Sequence, residues 1–439
     1  MIITKFGGTS VGNAERIRKT AEIIKSKLDE KPVVVVSAVT KITDALIKLA
    51  NESAAGKGDD VFDNIKNVHL NIVNQLNLDK SLLNKNFDEL AELAKENQQN
   101  KKLDARALDY FQSFGERMSS KIVAAYLNQI GINSQAFNSW DLGLATTNDF
   151  GNAEPLESSY PNIKNNILKL KLIPVITGFI GKSENNRITT LGRGGSDYTA
   201  AIIGSAVDAD EIQIWTDVNG VMTADPKIVP NAKPVRQVSF AEASELAYFG
   251  ARVLHPKTIL PAMGKNIPVR VLNSFNPKDE GTTIINKSAK TQKTIKSIAC
   301  KSNTTLIHIE STRMLGAYGF LARIFYIFDK YRKSVDVIST SEVSVSLTVD
   351  NSENAGPILK ELEEFAQVEI GKNKSIICVV GEGIKEEKGI AGRIFTALGK
   401  NNINVEMISQ GASKINMTFI VDGKDAEKAV RALHDEYFG

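Results

Sequence analysis

The first string that could do chemistry is Lys5-Phe6-Gly7-Gly8-Thr9-Ser10, where an apolar run gives way to a helix-like stretch. Adjacent glycines let backbone N–H groups approach an anion, and a helix N-terminus adds a favourable dipole. A lysine just before the turn can reach the same anion as a point charge. On its own, the string would serve equally as a tight turn at a strand end. Gly181-Lys182-Ser183 has Ile176 where a phosphate-binding G-x-x-x-x-G-K-S loop needs its first glycine. It therefore reads as a polar surface turn.

Leu191-Gly192-Arg193-Gly194-Gly195-Ser196-Asp197 is more informative. Ser196 or Asp197 could simply cap the apolar helix that follows. That leaves Arg193 unexplained, since an arginine among glycines has little to pack against. Its fork suits a carboxylate or a phosphate. A third string, Trp215-Thr216-Asp217-Val218-Asn219-Gly220-Val221-Met222, follows a predicted strand. Asn219-Gly220 is a turn pair, and a hairpin-like loop alone could explain the string. The Thr and Asp side chains before it stand at a carboxyl strand end, where open α/β sheets bind ligands.

The elements that must position these residues can be read from periodicity. Ile2–Phe6, a helix and the run Pro32–Val36 read as strand–helix–strand. Val33–Val36 is four valines, as in a parallel strand buried on both faces. From about Glu52 to Gln112 the chain is rich in Asn, Lys and Asp with helical periodicity; it reads as a helical excursion and a candidate wall of the substrate cleft, with no function of its own derived from it. Strands over Leu172–Phe179 and Ala209–Trp215 alternate with helices over Asp197–Ser205 and Phe240–Ala247. This alternation predicts a layered α/β domain with a mostly parallel sheet. Residues 286–296 are polar and basic and read as a linker.

Beyond it lies an internal repeat with an offset of 70 residues. Gly319 stands over Gly389, and Arg323-Ile324-Phe325 over Arg393-Ile394-Phe395; Val335, Ile338 and Ser339 stand over Val405, Ile408 and Ser409. Each copy reads as strand, glycine turn, amphipathic helix and two strands, the latter being Val335–Thr340 and Val343–Val349 in the first copy.

Bulk composition narrows the classes. A chain of 439 residues implies two or three domains. A net charge of +3 gives no reason to expect a nucleic-acid or membrane partner. Two cysteines and four scattered histidines form neither a disulfide framework nor a metal-ligand spacing. The start MIITKFGG has no basic leader, and no apolar run is long enough to span a membrane. A cytoplasmic enzyme is expected.

Five strings together resemble the aspartokinases of the wider amino-acid kinase family. They are Lys5–Gly12, FGERMSS at Phe114–Ser120, Thr190–Ala200, Trp215–Pro226 and FGARVLHPKT at Phe249–Thr258, in the family's order and spacing. The resemblance implies an eight-stranded, mainly parallel sheet between helices over residues 1–285. It also implies transfer of the ATP γ-phosphoryl group to the β-carboxylate of L-aspartate, giving 4-phospho-L-aspartate. That is the first step toward lysine, threonine and methionine. ATP is then expected at Lys5, Phe6, Gly7, Gly8, Thr216, Asp217, Met222, Lys227, Arg252 and Val253. Lys227 and Arg252 depart from the family's Arg and Lys, and a fork and a point charge are not equivalent. Met222 offers only apolar contact where some relatives have Tyr.

Aspartate is expected at Ser37, Thr43, Glu116, Arg193, Gly194, Gly195 and Ser196, with Arg193 on its α-carboxylate and Glu116 on its ammonium. An aspartate side chain, with a pKa of ~3.9, is already an ionised nucleophile at neutral pH, so no general base is required. Catalysis falls to Lys5 on the phosphoryl oxygens and to Asp197, which orients that lysine. Mg²⁺ is expected to accompany ATP, held mainly by phosphates and water.

The repeat resembles paired ACT modules, which bind amino acids and pair between subunits, so a homodimer is expected. The first copy (about 304–372) would be inserted in the second (about 296–303 and 373–439), making Ile295–Lys301 a strand of the second. Met314-Leu315-Gly316-Ala317-Tyr318-Gly319-Phe320-Leu321 matches the effector loop of lysine-sensitive members, with Val335, Asp336, Ser341 and Glu342 completing the set. Asp336 and Glu342 could complement a cationic side chain, and N–H groups at Gly319 a carboxylate. Lysine is therefore expected as inhibitor. The second copy has Glu406 under Asp336 and Gly411 under Ser341, and is expected to support the interface instead.

Two rivals fit less well. A glutamate kinase of this fold is disfavoured by FGERMSS, RGGSD and the ACT pair. A sensor with a dead kinase domain is disfavoured by retention of Lys5, Glu116, Arg193, Asp197 and Asp217. The length and the lack of G-x-G-x-x-G argue against a fused homoserine dehydrogenase.

Overall fold

The computed structural model describes residues 1–250, 254, 256–286, 294–315, 318–350, 355–410 and 415–439. Arg252, Val253, Gly316, Ala317 and Gly411, named above, lie outside the described residues, as does most of the expected linker. The chain forms two compact units. One comprises Met1–Val221, Arg236–Phe240 and Val253–Ser288; the other comprises Met222–Val235, Ala241–Arg252 and Ala289–Gly439.

The first unit is built on an eight-stranded sheet. In spatial order its strands are Ser134–Phe137, Ile173–Thr177, Val33–Val36, Ile2–Phe6, Glu211–Thr216, Val269–Asn273, Thr282–Ile285 and Gln237–Ser239. Val269–Asn273 and Thr282–Ile285 pair antiparallel, and every other neighbouring pair is parallel. All four valines of Val33–Val36 are buried, as a central strand covered on both faces requires. Register places Phe6 beside both Val36 and Trp215, so three carboxyl strand ends emerge together.

One face of this sheet carries helices Ala14–Ser26, Ile42–Ala54, Asp59–Gln75, Asn84–Asn100 and Ala105–Gln129 on a core that includes Phe6, Val36, Leu46, Phe87, Phe111 and Phe114. The Asn- and Lys-rich excursion is thus helical as expected, and its apolar stripe completes this layer. On the other face lies Gly195–Val207, buried at every position but Asp197. It is apolar all round, as an enclosed helix must be. A small sheet of Ala145–Thr146, Ile180–Ser183 and Ile188–Thr190 completes the unit. Gly181-Lys182-Ser183, expected as a surface turn, is therefore strand, antiparallel to Ile188–Thr190. Its three polar-looking residues mask an alternating burial that composition alone does not reveal.

The second unit holds a six-stranded sheet, antiparallel throughout. Its order is Ile338–Thr340, Ser344–Val349, Ser297–Glu310, Gln367–Val380, Asn416–Asp422, Met407–Ser409. The repeat is visible as two 11-residue helices, Phe320–Lys330 and Ile390–Lys400. Each is entered through a left-handed glycine, Gly319 at φ 80° and Gly389 at φ 84°, a conformation that costs glycine little. Each copy has its own core, one around Ile324, Phe328 and Leu347 and the other around Ile394, Phe419 and Leu433. The strand expected at 335–340 is shorter, Ile338–Thr340, and the one expected at 295–301 continues to Glu310. Among the described residues no helix is long and apolar enough to cross a membrane.

Candidate active site

A cleft of about 700 Å³ opens at the carboxyl ends of the first unit's strands. Lys5, Gly8, Ser37, Thr43, Glu116, Arg193, Gly194, Gly195, Ser196 and Asp197 all line it. Both expected reaction residues and all seven expected aspartate residues are therefore brought together from four separate stretches of chain.

Lys5 is the penultimate residue of its strand and is 8% exposed. Its Nζ lies 2.6 Å from Asp197 Oδ1. Helix Gly195–Val207 starts after Gly194 at φ 71°, so Gly194 is the cap and Ser196 and Asp197 sit in the first turn. The capping role considered for those two side chains is corrected accordingly. Asp197 is instead free to face Lys5, beside first-turn N–H groups that attract an anion. Helix Ile42–Ala54 presents a second N-terminus to the same cleft through Thr43 and Asp44. Ser37 is held by Ser119, whose Oγ donates to the Ser37 carbonyl at 2.6 Å.

Glu116 is delivered by helix Ala105–Gln129. Gly115 before it explains how that helix comes so close: a Cβ there would lie 2.6 Å from the Cβ of Ala38. Glu116 Oε1 accepts the Ala38 N–H at 3.0 Å, and Oε2 is buried without a partner. Burial pushes its pKa up to about 8, against the Ala38 N–H and the Lys5 charge, which favour the ionised form. A buried carboxylate oxygen with no donor, facing a cleft, is a receptor for a cationic group. Arg193 is exposed between Gly192 and Gly194, both at positive φ, and makes no ion pair among the described residues. A guanidinium so placed can take an anion.

The nucleotide set is placed more unevenly. Gly7 N–H donates to the Trp215 carbonyl at 3.0 Å, so the glycine turn and the Thr216-Asp217 strand end are directly linked. Asp217 is exposed there, with Thr216 half-buried. The Phe6 side chain is fully buried and stacked on Trp215, leaving only its backbone to meet a ligand. Met222 and Lys227 belong to the second unit. Met222 is half-buried, its carbonyl held by Ser297, and the Lys227 side chain is exposed. Among the described residues no cluster of three His, Cys, Asp or Glu could hold a metal.

Several cleft residues belong to none of the readings above: Asp109, Gln112, Phe150, Phe179 and Thr190. Asp109 and Gln112 stand seven and four residues before Glu116. These are helical spacings for one face, a signal the sequence did carry.

The second unit has a cavity of its own, about 700 Å³, lined by Met314, Leu315, Tyr318, Gly319, Phe320, Leu321, Ala322, Ser341 and Glu342. Eight of the twelve residues of the expected effector loop and its completing set meet there. Val335 instead packs against the first copy's core. Asp336 is turned inward: its Oδ1 accepts Tyr248 OH at 2.8 Å and lies 2.9 Å from Lys301 Nζ. A carboxylate already neutralised by an internal ammonium does not wait open for a ligand.

A mainly parallel sheet of this order, with a lysine and a glycine turn beside a buried carboxylate and an exposed arginine at its strand ends, suits phosphoryl transfer to an amino acid. The model of the amino acid kinase family matches residues 1–273, and an ACT domain model matches residues 377–437. Aspartokinase 3 of Arabidopsis thaliana, a chloroplastic enzyme, is 44% identical over 99% of this chain and 81% of its own. A crystal structure of E. coli aspartokinase III in complex with aspartate and ADP, in its R-state, matches with a TM-score of 0.86 at 34% identity, covering 100% of both chains. The same enzyme with lysine and aspartate, in its T-state, matches with a TM-score of 0.83 over 100% of both. The chain belongs to the aspartokinases, and its reaction is phosphoryl transfer from ATP to aspartate.

Proposed function

We propose that aspartate lies in the cleft with its ammonium on Glu116, its α-carboxylate on Arg193 and its β-carboxylate directed at Lys5. The observation that carries this reading is the pair of unsatisfied receptors of opposite sign, Glu116 Oε2 and Arg193, in the cleft that Lys5 lines. The β-carboxylate is ionised at neutral pH and attacks the γ-phosphorus without a base, while the bond from that phosphorus to the β,γ-bridging oxygen breaks and ADP leaves. Lys5, held by Asp197, neutralises charge spreading over the transferring oxygens. Gly7, Gly8, Thr216 and Asp217 take the remaining phosphates and the nucleoside from the neighbouring strand ends.

Mg²⁺ fits this arrangement. It keeps most of its water and binds through phosphate oxygens with one or two carboxylates, and the exposed Asp217 is one such carboxylate at the strand end. When bound, the ion supplies charge neutralisation on the phosphates.

Feedback by lysine belongs to the same reading. The cavity lined by Met314, Gly319, Phe320 and Glu342 offers the Glu342 carboxylate for a side-chain ammonium and, at the Gly319 helix entry, N–H groups for a carboxylate. A lysine-bound relative of full coverage supports it. An inhibitor acts only through differential affinity for two states of the protein. The parse into a catalytic domain (1–285) and two ACT modules, one inserted in the other, is part of this proposal. So is a homodimer through those modules, for which Tyr318, Leu321, Phe325 and Tyr326 offer exposed apolar side chains on one helix and its entry. Free thiols at Cys300 and Cys378 suit a reducing cytoplasm.

The test is ADP production from Mg-ATP with aspartate, with glutamate as control, and with lysine or threonine added in parallel. Turnover with aspartate that lysine alone suppresses supports the site and the effector assignment. Turnover indifferent to lysine discards the effector, and equal turnover of glutamate discards the pose.

A further inference from the structure

The two poles of the substrate receptor come from different parts of the first unit. Glu116 rides on helix Ala105–Gln129, whereas Arg193 rides on the loop that follows the strand Ile188–Thr190. Their separation must match one small amino acid, so something must fix the loop to the helix. Asp109 does this. It lies on the same helix face as Glu116, two turns earlier, and is 1% exposed. Its Oδ2 accepts the Thr190 N–H at 2.8 Å and the Gly151 N–H at 2.9 Å. Its Oδ1 accepts the Thr190 hydroxyl at 2.9 Å.

Both segments so held form the cleft wall. Thr190 is three residues from Arg193, and Gly151 belongs to the segment containing Phe150, another lining residue. They are also joined to each other. Ala153 N–H donates to the Thr190 carbonyl at 2.9 Å, and Gly192 packs so tightly on the other segment that a Cβ would lie 3.0 Å from the Gly151 carbonyl. The far end of that segment is clamped separately: Glu154 accepts Tyr198 OH at 2.8 Å and pairs with Lys257 at 2.5 Å. Asp109 is therefore a single anionic knot that fastens two glycine-containing segments to the helix bearing Glu116.

We propose that Asp109 is a positioning residue that sets the distance between Arg193 and Glu116 and so governs affinity for aspartate. It touches no substrate atom in this account. An ionised carboxylate accepts all three donors with charge assistance, whereas an amide that keeps its oxygen on the two N–H groups must turn its NH2 toward the Thr190 hydroxyl, losing the charge and one acceptor. Asp109→Asn should release the loop while leaving Lys5, Asp197 and the Gly7-Gly8 turn in place. The inference rests on the aspartate pose proposed above.

The experiment is steady-state kinetics on the full chain for Asp109→Asn, Thr190→Val, Arg193→Ala and Tyr110→Phe. Tyr110 is the next residue on the helix and donates instead to Glu89 at 2.5 Å, so it reports general damage to that helix. The expected result is a rise of about tenfold or more in KM for aspartate in Asp109→Asn, consistent with losing charge-assisted hydrogen bonds. KM for Mg-ATP should stay at its wild-type value, kcat should change by less than about threefold, and Tyr110→Phe should resemble wild type. Thr190→Val, which removes one of the three bonds, should move KM in the same direction by less. An unchanged aspartate KM in Asp109→Asn overturns the inference, as does a parallel rise in both KM values or an equal effect in Tyr110→Phe. Should Asp109→Asn not fold, Thr190→Val decides, an unchanged aspartate KM again overturning it. Arg193→Ala keeps the two readings apart. If it leaves aspartate KM unaltered, the pose fails; if it raises KM while Asp109→Asn does not, only the role of Asp109 fails.

Discussion

Aspartate affinity should depend on pH through Glu116, and the size of the effect follows from its burial. With its pKa pushed up to about 8, Glu116 is mostly protonated at pH 7 in the free protein. A bound ammonium needs the ionised form, so binding must first remove a proton. At pH 7 about one molecule in eleven is ready, and at pH 9 about nine in ten. KM for aspartate should therefore fall about tenfold between pH 7 and pH 9, equivalent to ~1.4 kcal/mol, and then level off. The assay is initial rate against aspartate at saturating Mg-ATP across that range, with calorimetry in buffers of different ionisation enthalpy to count the proton released. Glu116→Gln should have a high KM that no longer varies with pH.

Stability supplies an independent reading, and its sign is fixed. The folded pKa of Glu116 lies above its ordinary value of 4.5, so between 4.5 and about 8 the folded state holds a proton the unfolded state lacks. Stability from this group is full below 4.5 and is lost as pH rises toward 8. The thermal midpoint of the ligand-free protein should carry a decline over that window that Glu116→Gln removes. A wild-type KM that is flat from pH 7 to pH 9, or a slope that survives in Glu116→Gln, would refute the reasoning.

Lys5→Met should lower kcat by about 10²–10³ with little change in aspartate KM, because its charge acts on the transferring group; pre-steady-state ADP formation measures it. Lys301→Met frees the Asp336 carboxylate from its internal ammonium, and inhibition by lysine should then need less lysine, read as the half-inhibitory concentration. An unchanged or raised value would mean Asp336 plays no part in the effector response. In the second unit Lys296 pairs with Glu242 at 3.0 Å, both all but inaccessible. Lys296→Met should destabilise by ~3–5 kcal/mol, since it breaks a buried ion pair. Urea unfolding checks this, and combining Lys296→Met with Glu242→Gln should recover most of the loss.

The legible and illegible parts of this protein differ in a physical way. Val33–Val36, the Gly7-Gly8 turn and the Gly192–Asp197 loop announce themselves because backbone constraints act over a few residues. A strand covered on both faces must be apolar, and a helix entered in the left-handed region favours glycine. The repeat is equally open, since it is a comparison of the chain with itself. What cannot be read is which side chain meets which across long separations. Asp109 reaches a strand 81 residues away; its spacing from Glu116 puts it on the cleft face of the helix, but nothing nearby marks Thr190 as its partner. Asp336 reads as a free acid because Lys301 and Tyr248, both far upstream, give no local sign of claiming it. Gly181-Lys182-Ser183 misleads for the opposite reason: its composition is that of a turn, but pairing with Ile188–Thr190 makes it strand.

The two 14-residue strands of the second unit lie antiparallel along one another, from Ser297 opposite Val380 to Glu310 opposite Gln367. Midway, Thr304 faces Lys374 and Leu306 faces Gly371, with the register slipping between them. The chain thus departs for the whole first copy and comes back within the width of one strand pair, roughly 5 Å. To the second copy, everything between those points is a hairpin tip. An insertion there is topologically silent, because replacing the whole span by a tight turn would restore a plain β-hairpin with its pairing undisturbed. Exchanging the first copy there would take its own strands from the sheet while leaving the pairing of Gln367–Val380 with Asn416–Asp422 in place.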